Sequence, residues 1–164
     1  MLEPGAAVIL DTETTDLWGS VIEIAVVDAC TGKVLLNTLV HPGDVPISPG
    51  AHAVHGLTLD ALAGAPDWRK VMPKLRKVTR GRTILAYNAE FDRGVITGDC
   101  TRHGLKPMHL ADAANWGCVM NRRSDFVGTN RWLRLGGGHR ALGDCQSARD
   151  VLLDIARLDQ RGTA

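Results

Sequence analysis

The sequence predicts an α/β domain with a mixed β-sheet, and the order of its apolar segments supports this prediction. Short apolar runs near the N-terminus predict strands, and later runs with helical spacing enclose one more strand-like run. Strands followed by helices mixed with a strand are typical of α/β layers. The 164 residues, 45% hydrophobic and 23% charged, fit one domain spanning 1–164 and exclude a disordered or collagen-like chain.

Four strands are predicted, over residues 7–10, 21–27, 34–40 and 83–86. The first is a continuous apolar run, typical of a buried strand, that ends at Asp11. In the second, Ile22, Ile24 and Val26 recur at every other position, and Thr31-Gly32 forms a hairpin-like turn into the third strand. Three prolines within residues 41–49 predict a loop.

Four helices are predicted, over residues 58–63, 68–78, 90–103 and 142–158. Thr58 is a suitable N-cap for the first, and Pro73 predicts a kink in the second or its true start. The last carries a continuous apolar stripe. Between the third and the last, we expect helices near 110–120 and a glycine-rich loop at 136–138.

Charge is distributed unevenly, although the formal net charge is only +1. Residues 1–60 contain eight acids and one base, whereas residues 61–164 contain ten acids and eighteen bases. This predicts either solvated faces or a cation site beside a basic surface that binds a polyanion. Without a secretion signal, a membrane-length apolar run or a C-x-x-C pair, we expect a cytoplasmic protein with reduced thiols and no membrane partner.

Four carboxylates lie where predicted strands and helices begin or end. Asp11 and Glu13 follow the first strand, Asp92 begins a helix, and Asp144 leans onto the apolar stripe of the last helix. If the strand continues through Thr12, Asp11 and Glu13 face one side at the edge where α/β sheets bind ligands. Taken singly, Asp92 or Asp144 is explained equally well as a helix cap.

Together these four acids predict a site for two divalent cations. Inward-facing carboxylates repel one another and lose hydration, and bound cations offset both costs. A ligand set made only of oxygens favours Mg²⁺ or Mn²⁺ over zinc. Two such ions, about 3.5–4 Å apart, are a common device for in-line attack on a phosphodiester.

Three motifs resemble those of the DnaQ-like, or DEDDh, 3′–5′ exonucleases, which include the proofreading domain of the DNA polymerase III epsilon subunit. The motifs are Asp11-Thr12-Glu13-Thr14-Thr15, Asn88-Ala89-Glu90-Phe91-Asp92 and the H-x-A-x-x-D segment His139-Arg140-Ala141-Leu142-Gly143-Asp144. The segment from Ser48 to Thr58 is similar to the family's I-x-P-x-A-x-x-V-H-G-I-T. The resemblance covers nearly the whole chain and implies a ribonuclease H-like fold, a five-stranded mixed sheet flanked by helices.

The resemblance also implies catalytic roles. Asp11 would bridge both metal ions, and Glu13 and Asp144 would complete the tighter site. Asp92 would hold the second metal largely through water. His139 would be the general base that takes a proton from the attacking water, a task that suits an imidazole with a pKa near the working pH.

Further residues are implied to bind the 3′-terminal nucleotide. They are Thr14, Thr15, Leu17, Trp18, Asn88 and Phe91. Trp18 either stacks on a base or packs against the sheet, and the sequence leaves both open. His55 matches a family histidine that we expect to be structural. Asp16 departs from the family's usual glycine; aspartate tolerates a left-handed turn, but it adds a negative charge near the phosphate path.

Two sets of basic residues are candidates for binding nucleic acid. The first is Arg69, Lys70, Lys74, Arg76, Lys77, Arg80 and Arg82. The second is Arg122, Arg123, Arg131, Arg134 and Arg140. We expect the second set to guide a strand, because it leads directly to His139, and such binding would be salt-sensitive and largely independent of sequence.

The favoured function is a metal-dependent 3′–5′ exonuclease acting on DNA, at single-stranded ends in proofreading or end trimming. An exoribonuclease is the alternative within the family, since no residue identifiably reads the 2′-hydroxyl. A non-catalytic nucleic-acid-binding module would not need all five candidate catalytic residues. No polymerase-binding segment is evident, so a freestanding enzyme is expected.

Overall fold

The fold is described by a computed structural model over residues 3–162. Its strands are β1 (Ala7–Thr14), β2 (Val21–Asp28), β3 (Val34–Leu39), β4 (Thr83–Ala86) and β5 (Trp116–Cys118). Its helices are α1 (Pro49–His55), α2 (Leu59–Leu62), α3 (Trp68–Thr79), α4 (Ala89–Arg102), α5 (Val119–Val127) and α6 (Ala141–Gly162). Two short 3₁₀ helices, Met108–Leu110 and Ala113–Asn115, precede β5.

The strands form one mixed sheet in the order β3-β2-β1-β4-β5. β2 pairs antiparallel with both β1 and β3, and β4 pairs parallel with both β1 and β5. Since parallel neighbours need a crossover, α4 carries the chain from β4 to β5. The predicted five-stranded mixed sheet flanked by helices is confirmed.

Helices cover both faces of the sheet, and this decides where the side chains of β1 point. Val8 and Leu10 pack in a core with α3 and α4, whereas Ile9 packs in a second core with α6. Successive side chains of a strand alternate between faces. Asp11 and Glu13 therefore continue the row of Ile9 on the α6 side of the sheet.

One predicted boundary is wrong, and one of the two alternatives left open at Pro73 is excluded. β1 does not end near Asp11 but continues to Thr14, because its polar half remains paired with β2, including Thr12 with Ile24. The backbone pairing of a central strand outweighs the local loss of apolar character. Helix α3 begins at Trp68, where Asp67 accepts a hydrogen bond from an amide of the first turn, so a start at Pro73 is excluded.

Three elements within residues 3–162 differ from the predicted strands and helices: α1, β5 and α5. β5 lies where helices near 110–120 were expected, and α5 extends beyond that segment to Val127. Helix α1 begins in the proline-containing segment expected as a loop, with Ser48 as N-cap, Pro49 in the first turn and Gly56 at φ +69° ending it. Strand β5 has only three residues, too few to show a periodicity, and its pairing with β4 defines it. No helix within residues 3–162 has the length and apolar character that spanning a bilayer requires.

Candidate active site

Three carboxylates converge at the end of β1. Carboxylate oxygens of Asp11, Glu13 and Asp144 lie within 4.8 Å of one another. The first two share one side of the strand, and Asp144 comes from the first turn of α6, which packs on that side. The structure thus brings together three of the four predicted metal ligands.

Asp92 approaches from the other side of the sheet and lies outside this group of three. It is buried in the first turn of α4, and it accepts a hydrogen bond of 2.8 Å from the hydroxyl of Thr12. Thr12 points away from Asp11 and Glu13, toward α4, as strand alternation requires. Burial raises the pKa of Asp92 to about 7, and the hydrogen bonds from Thr12 oppose this shift.

Burial and mutual repulsion raise the pKa values of the converging acids. Burial, followed by the charge of Asp144, raises the pKa of Glu13 from 4.5 to about 8. Burial also raises the pKa of Asp11 well above its usual value, with further increases from Asp92 and Glu13. Burial raises the pKa of Asp144, and His139 opposes this shift. The same repulsion and loss of hydration that raise these pKa values also favour binding of a cation in place of the protons.

Gly137 makes room for the carboxylate of Asp144. A Cβ atom at this position would overlap Oδ1 of Asp144 and lie 2.6 Å from its Cγ. The loop before α6 therefore packs its backbone directly on the carboxylate. The sequence predicts a glycine-rich loop here, but only the folded structure shows which glycine the site requires.

Glu23 is a buried acid to which the sequence analysis assigned no role. It is 4% exposed and pairs with Glu13 across the β1–β2 ladder. Arg140 donates two hydrogen bonds to its carboxylate, of 2.9 Å from Nε and 2.8 Å from Nη2, and the amide of Ala141 donates a third of 3.1 Å. This contact ties the start of α6 to the sheet. The available signal was that Glu23 is the one acid in the otherwise apolar run over residues 21–27.

His139 lies on the loop immediately before α6, with an exposed side chain. Its φ of +52° is uncommon for a residue other than glycine. The imidazole is close enough for its charge to lower the pKa of Asp144. The loop that holds His139 is thus fastened by Arg140 and packed on Asp144.

A cavity of about 360 Å³ opens beside Glu13. It is lined by Thr12, Glu13, Thr14, Asp16, Leu17, Gly50, Ala51, Val54, His55 and Phe91. Helix α1, outside the predicted helices, supplies one wall, and the loop after β1 supplies another. The volume lies at the lower end of the ~300–1,000 Å³ typical of small-molecule sites.

Trp18 stands at the edge of this cavity region rather than against the sheet. Its ring lies 5.2 Å from that of Phe91, measured between centroids, with a tilt of 51°. It packs on α4 at Gly94, where a Cβ atom would overlap the indole. The left-handed conformation considered for Asp16 falls instead on Trp18, at φ +63°. Asp16 caps the turn, accepting a hydrogen bond of 2.8 Å from the amide of Leu17.

The remaining predicted substrate residues differ in accessibility. Thr14 lines the cavity, as do Leu17 and Phe91. Thr15 is buried, and its hydroxyl accepts a hydrogen bond of 2.9 Å from the amide of Ser20. Asn88 is half-buried at the N-cap of α4, and its side chain makes no capping hydrogen bond.

His55 supports the loop after β1. Its Nδ1 accepts a hydrogen bond of 3.0 Å from the amide of Leu57, so the proton resides on Nε2. Nε2 donates to the carbonyl oxygen of Thr14 at 3.2 Å. Burial lowers the pKa of His55, which keeps the imidazole neutral. These contacts agree with the structural role expected for this residue.

The second basic set is only partly available to a ligand. Arg140 is engaged with Glu23, and Arg123 donates hydrogen bonds to the hydroxyl of Tyr87 at 3.1 Å and the carbonyl of Arg134 at 3.0 Å. Internal acceptors thus hold these two guanidinium groups, and guidance of a strand by the set stays a prediction.

The donor set fits divalent cations. The converging groups are carboxylates alone, which suit hard cations such as Mg²⁺ and Mn²⁺. Oδ1 of Asp144 is buried and has no hydrogen-bond partner among the described residues. A cation at the cluster would satisfy this atom and neutralise the repulsion that raises the pKa values.

The fold and the site together define a class of protein. A mixed five-stranded sheet with acids converging from its central strand and its last helix, next to a cavity, is the arrangement of ribonuclease H-like nucleases.

Comparison of this chain with known proteins identifies its family. The exonuclease family model matches residues 8–152. Exodeoxyribonuclease 10 of Escherichia coli strain K12 is 34% identical over 152 residues, covering 90% of this chain and 67% of that protein. The uncharacterized exonuclease CP81 of Escherichia phage 186 is 27% identical over 172 residues, covering 92% and 88%. Exonuclease X, solved in complex with 5′ overhanging duplex DNA, aligns with a TM-score of 0.69 and 31% identity, covering 93% of this chain and 92% of that one.

The chain belongs to the DnaQ-like (DEDDh) family of 3′–5′ exonucleases. Its activity is that of a 3′–5′ exonuclease, and this family uses divalent metal ions.

Proposed function

We propose that this exonuclease removes nucleoside 5′-monophosphates from the 3′ ends of single-stranded DNA, using Mg²⁺ or Mn²⁺. The observation that carries the proposal is the convergence of Asp11, Glu13 and Asp144 beside the cavity. DNA is favoured over RNA because exodeoxyribonuclease 10, the relative at 34% identity, is named as acting on DNA, and because exonuclease X was solved with DNA.

The carboxylates would hold the cations. Asp11, Glu13 and Asp144 have the oxygens close enough to share one ion, and Asp92 approaches Asp11 from the opposite face to take part in a second. When bound, the ions supply a nucleophilic water and stabilise charge on the leaving oxygen. Thr12 fixes the carboxylate of Asp92 through its hydroxyl.

His139 is proposed as the general base. It accepts a proton from the water that attacks the terminal phosphorus, as the bond from phosphorus to the 3′-oxygen of the preceding nucleotide breaks. The terminal nucleoside 5′-monophosphate and a shortened strand with a free 3′-hydroxyl are the products. The exposed position of His139 permits the proton to pass on to solvent.

The cavity is proposed to bind the 3′-terminal nucleotide. Leu17 and Phe91 offer apolar surface to a base, and Thr14 offers polar groups to the sugar. Trp18, beside Phe91, extends this surface toward the next base, where a stack contributes ~1–3 kcal/mol. A strand must be unpaired for its end to enter such a recess, which favours single-stranded ends.

The proposed location is the cytoplasm, where a freestanding enzyme would meet its DNA. Cys100 and Cys145 are buried thiols in the cores on either face of the sheet, and burial raises the pKa of both. Thiols of this kind are typical of a reducing compartment.

Digestion of end-labelled oligonucleotides tests the function. DNA and RNA oligomers of one sequence, labelled at the 3′ or 5′ end, are incubated with the protein and Mg²⁺, and the products are separated by length. We expect immediate release of the 3′ label as a mononucleotide, stepwise shortening of the 5′-labelled strand, and intact circular single-stranded DNA. Faster digestion of RNA than of DNA would contradict the proposed substrate and indicate an exoribonuclease. Cleavage of the circle would contradict the exonuclease mechanism.

A further inference from the structure

The segment between α5 and α6 presents an exposed tryptophan that the proposed catalytic machinery does not use. The side chain of Trp132 is 75% exposed, on a segment without regular secondary structure. Its neighbours alternate in burial. Arg131 and Arg134 are exposed, whereas Leu133 and Leu135 are half-buried, and Leu135 packs against the core beneath α6.

Hydrogen bonds hold the backbone of this segment in place. The carbonyl of Arg131 accepts from the hydroxyl of Ser124 at 3.1 Å, and that of Arg134 accepts from Arg123 at 3.0 Å. Between them, the carbonyl of Leu133 accepts from the hydroxyl of Tyr87. Because the main chain is tied at three carbonyls, the indole is displayed outward from a fixed support, and its ordering costs little when a ligand binds.

The chemistry around Trp132 suits single-stranded nucleic acid. A recess of about 270 Å³ adjoins the indole, lined by Met120, Asn121, Ser124, Asp125, Thr129, Asn130, Arg131 and Trp132. An aromatic face binds any base by stacking, and arginines on both sides complement the phosphates. The amides of Asn121 and Asn130 offer both donors and acceptors to a base edge.

The position along the chain connects this surface to the active site. Trp132 precedes His139 by seven residues, at most about 25 Å of extended chain. A strand whose 3′ end occupies the cavity must leave it in the 5′ direction. We propose that Trp132, with Arg131 and Arg134, is a second binding site that stacks a base of the substrate DNA several nucleotides from its 3′ end. This inference rests on the proposed function.

Comparison of long and short substrates tests the site. Trp132→Ala should raise KM for a 16-mer of thymidylate about tenfold or more, leaving kcat unchanged. The p-nitrophenyl ester of thymidine 5′-monophosphate is too short to reach the site, so its hydrolysis should not change. Trp132→Phe should restore most of the affinity. Val127→Ala is the matched control, since Val127 is an apolar residue on α5 that is 55% exposed, and it should behave as wild type.

Salt dependence and equilibrium binding separate this proposal from the catalytic one. Removing both Arg131 and Arg134 should reduce the slope of log KM against log salt by about 1.4 for a single strand. Fluorescence anisotropy of a fluorescein-labelled 16-mer in EDTA should show the same weakening by Trp132→Ala, even if the protein cut no nucleic acid. An unchanged Kd and KM for the 16-mer would overturn the proposal. An equal loss of activity of Trp132→Ala on the short ester would also overturn it. So would the finding that the wild type self-associates and that Trp132→Ala abolishes this association without changing the affinity for DNA.

Discussion

Replacing Gly137 with alanine should strongly reduce activity while leaving the fold intact. The new Cβ atom would lie 2.6 Å from Cγ of Asp144 and overlap Oδ1. Non-bonded carbons prefer about 3.5–4.0 Å, so the carboxylate or the loop must shift by ~1 Å. A shift of this size at a reacting group costs about 10²-fold in rate. We therefore expect kcat to fall about a hundredfold.

Single-turnover hydrolysis of a 5′-labelled DNA oligomer, with thermal unfolding as the check on folding, measures this effect. Gly138→Ala is the matched control, because a Cβ atom there meets nothing within 4 Å. Neither position has the positive φ that would strain alanine, so both variants should keep a melting temperature near that of the wild type. A kcat within threefold of wild type for Gly137→Ala, or an equal loss in Gly138→Ala, would refute the steric reasoning.

Four further predictions concern the metal ions, the base and the buried acids. EDTA should abolish hydrolysis and Mg²⁺ or Mn²⁺ should restore it; full turnover in excess chelator would exclude the metal mechanism. His139→Ala should lower kcat by about 10²–10⁴-fold, while the Kd for single-stranded DNA, measured by anisotropy, stays constant. An unchanged rate would remove the base assignment. In EDTA, the melting temperature should fall as the pH rises from about 5 to 8. The folded state holds these protons more tightly than the unfolded state, because the pKa is raised to about 8 for Glu13 and to about 7 for Asp92. Their loss at higher pH therefore destabilises the folded state. Mg²⁺ should reduce this change of melting temperature with pH. Arg140→Ala should cost ~1–3 kcal/mol of unfolding free energy and lower kcat, because it leaves the buried carboxylate of Glu23 without its ion pair. Arg140→Lys keeps the positive charge and should retain part of the stability and part of the kcat. Identical losses in the two variants would show that charge at this position is unimportant.

Local pattern predicts the long elements of this fold well. The stripe of apolar residues predicts α6, and the largely apolar run after the Thr31-Gly32 turn predicts β3. Pattern fails where an element is short or depends on a distant partner. The polar half of β1 is a strand because β2 pairs with it, and β5 is a strand because β4 does.

The candidate site also has features that local pattern predicts and features that depend on distant partners. The motifs predict Asp11, Glu13, Asp92, His139 and Asp144 as a set, because residue type and spacing are properties of the chain. Which of them meet is a property of the sheet: strand alternation directs Asp11 and Glu13 to α6 and Thr12 to Asp92.

The sequence by itself determined the family, the α/β class and the oxygen ligands that call for divalent cations, since these follow from composition, spacing and chemistry along one chain. Only the tertiary structure decided that Arg140 neutralises Glu23, that Gly137 packs on Asp144, and that Trp132 faces solvent. The first two are contacts between residues far apart in the chain or across a loop, and the exposure of Trp132 depends on what the fold leaves uncovered. Such relations arise when helices and strands pack, and no local preference encodes them.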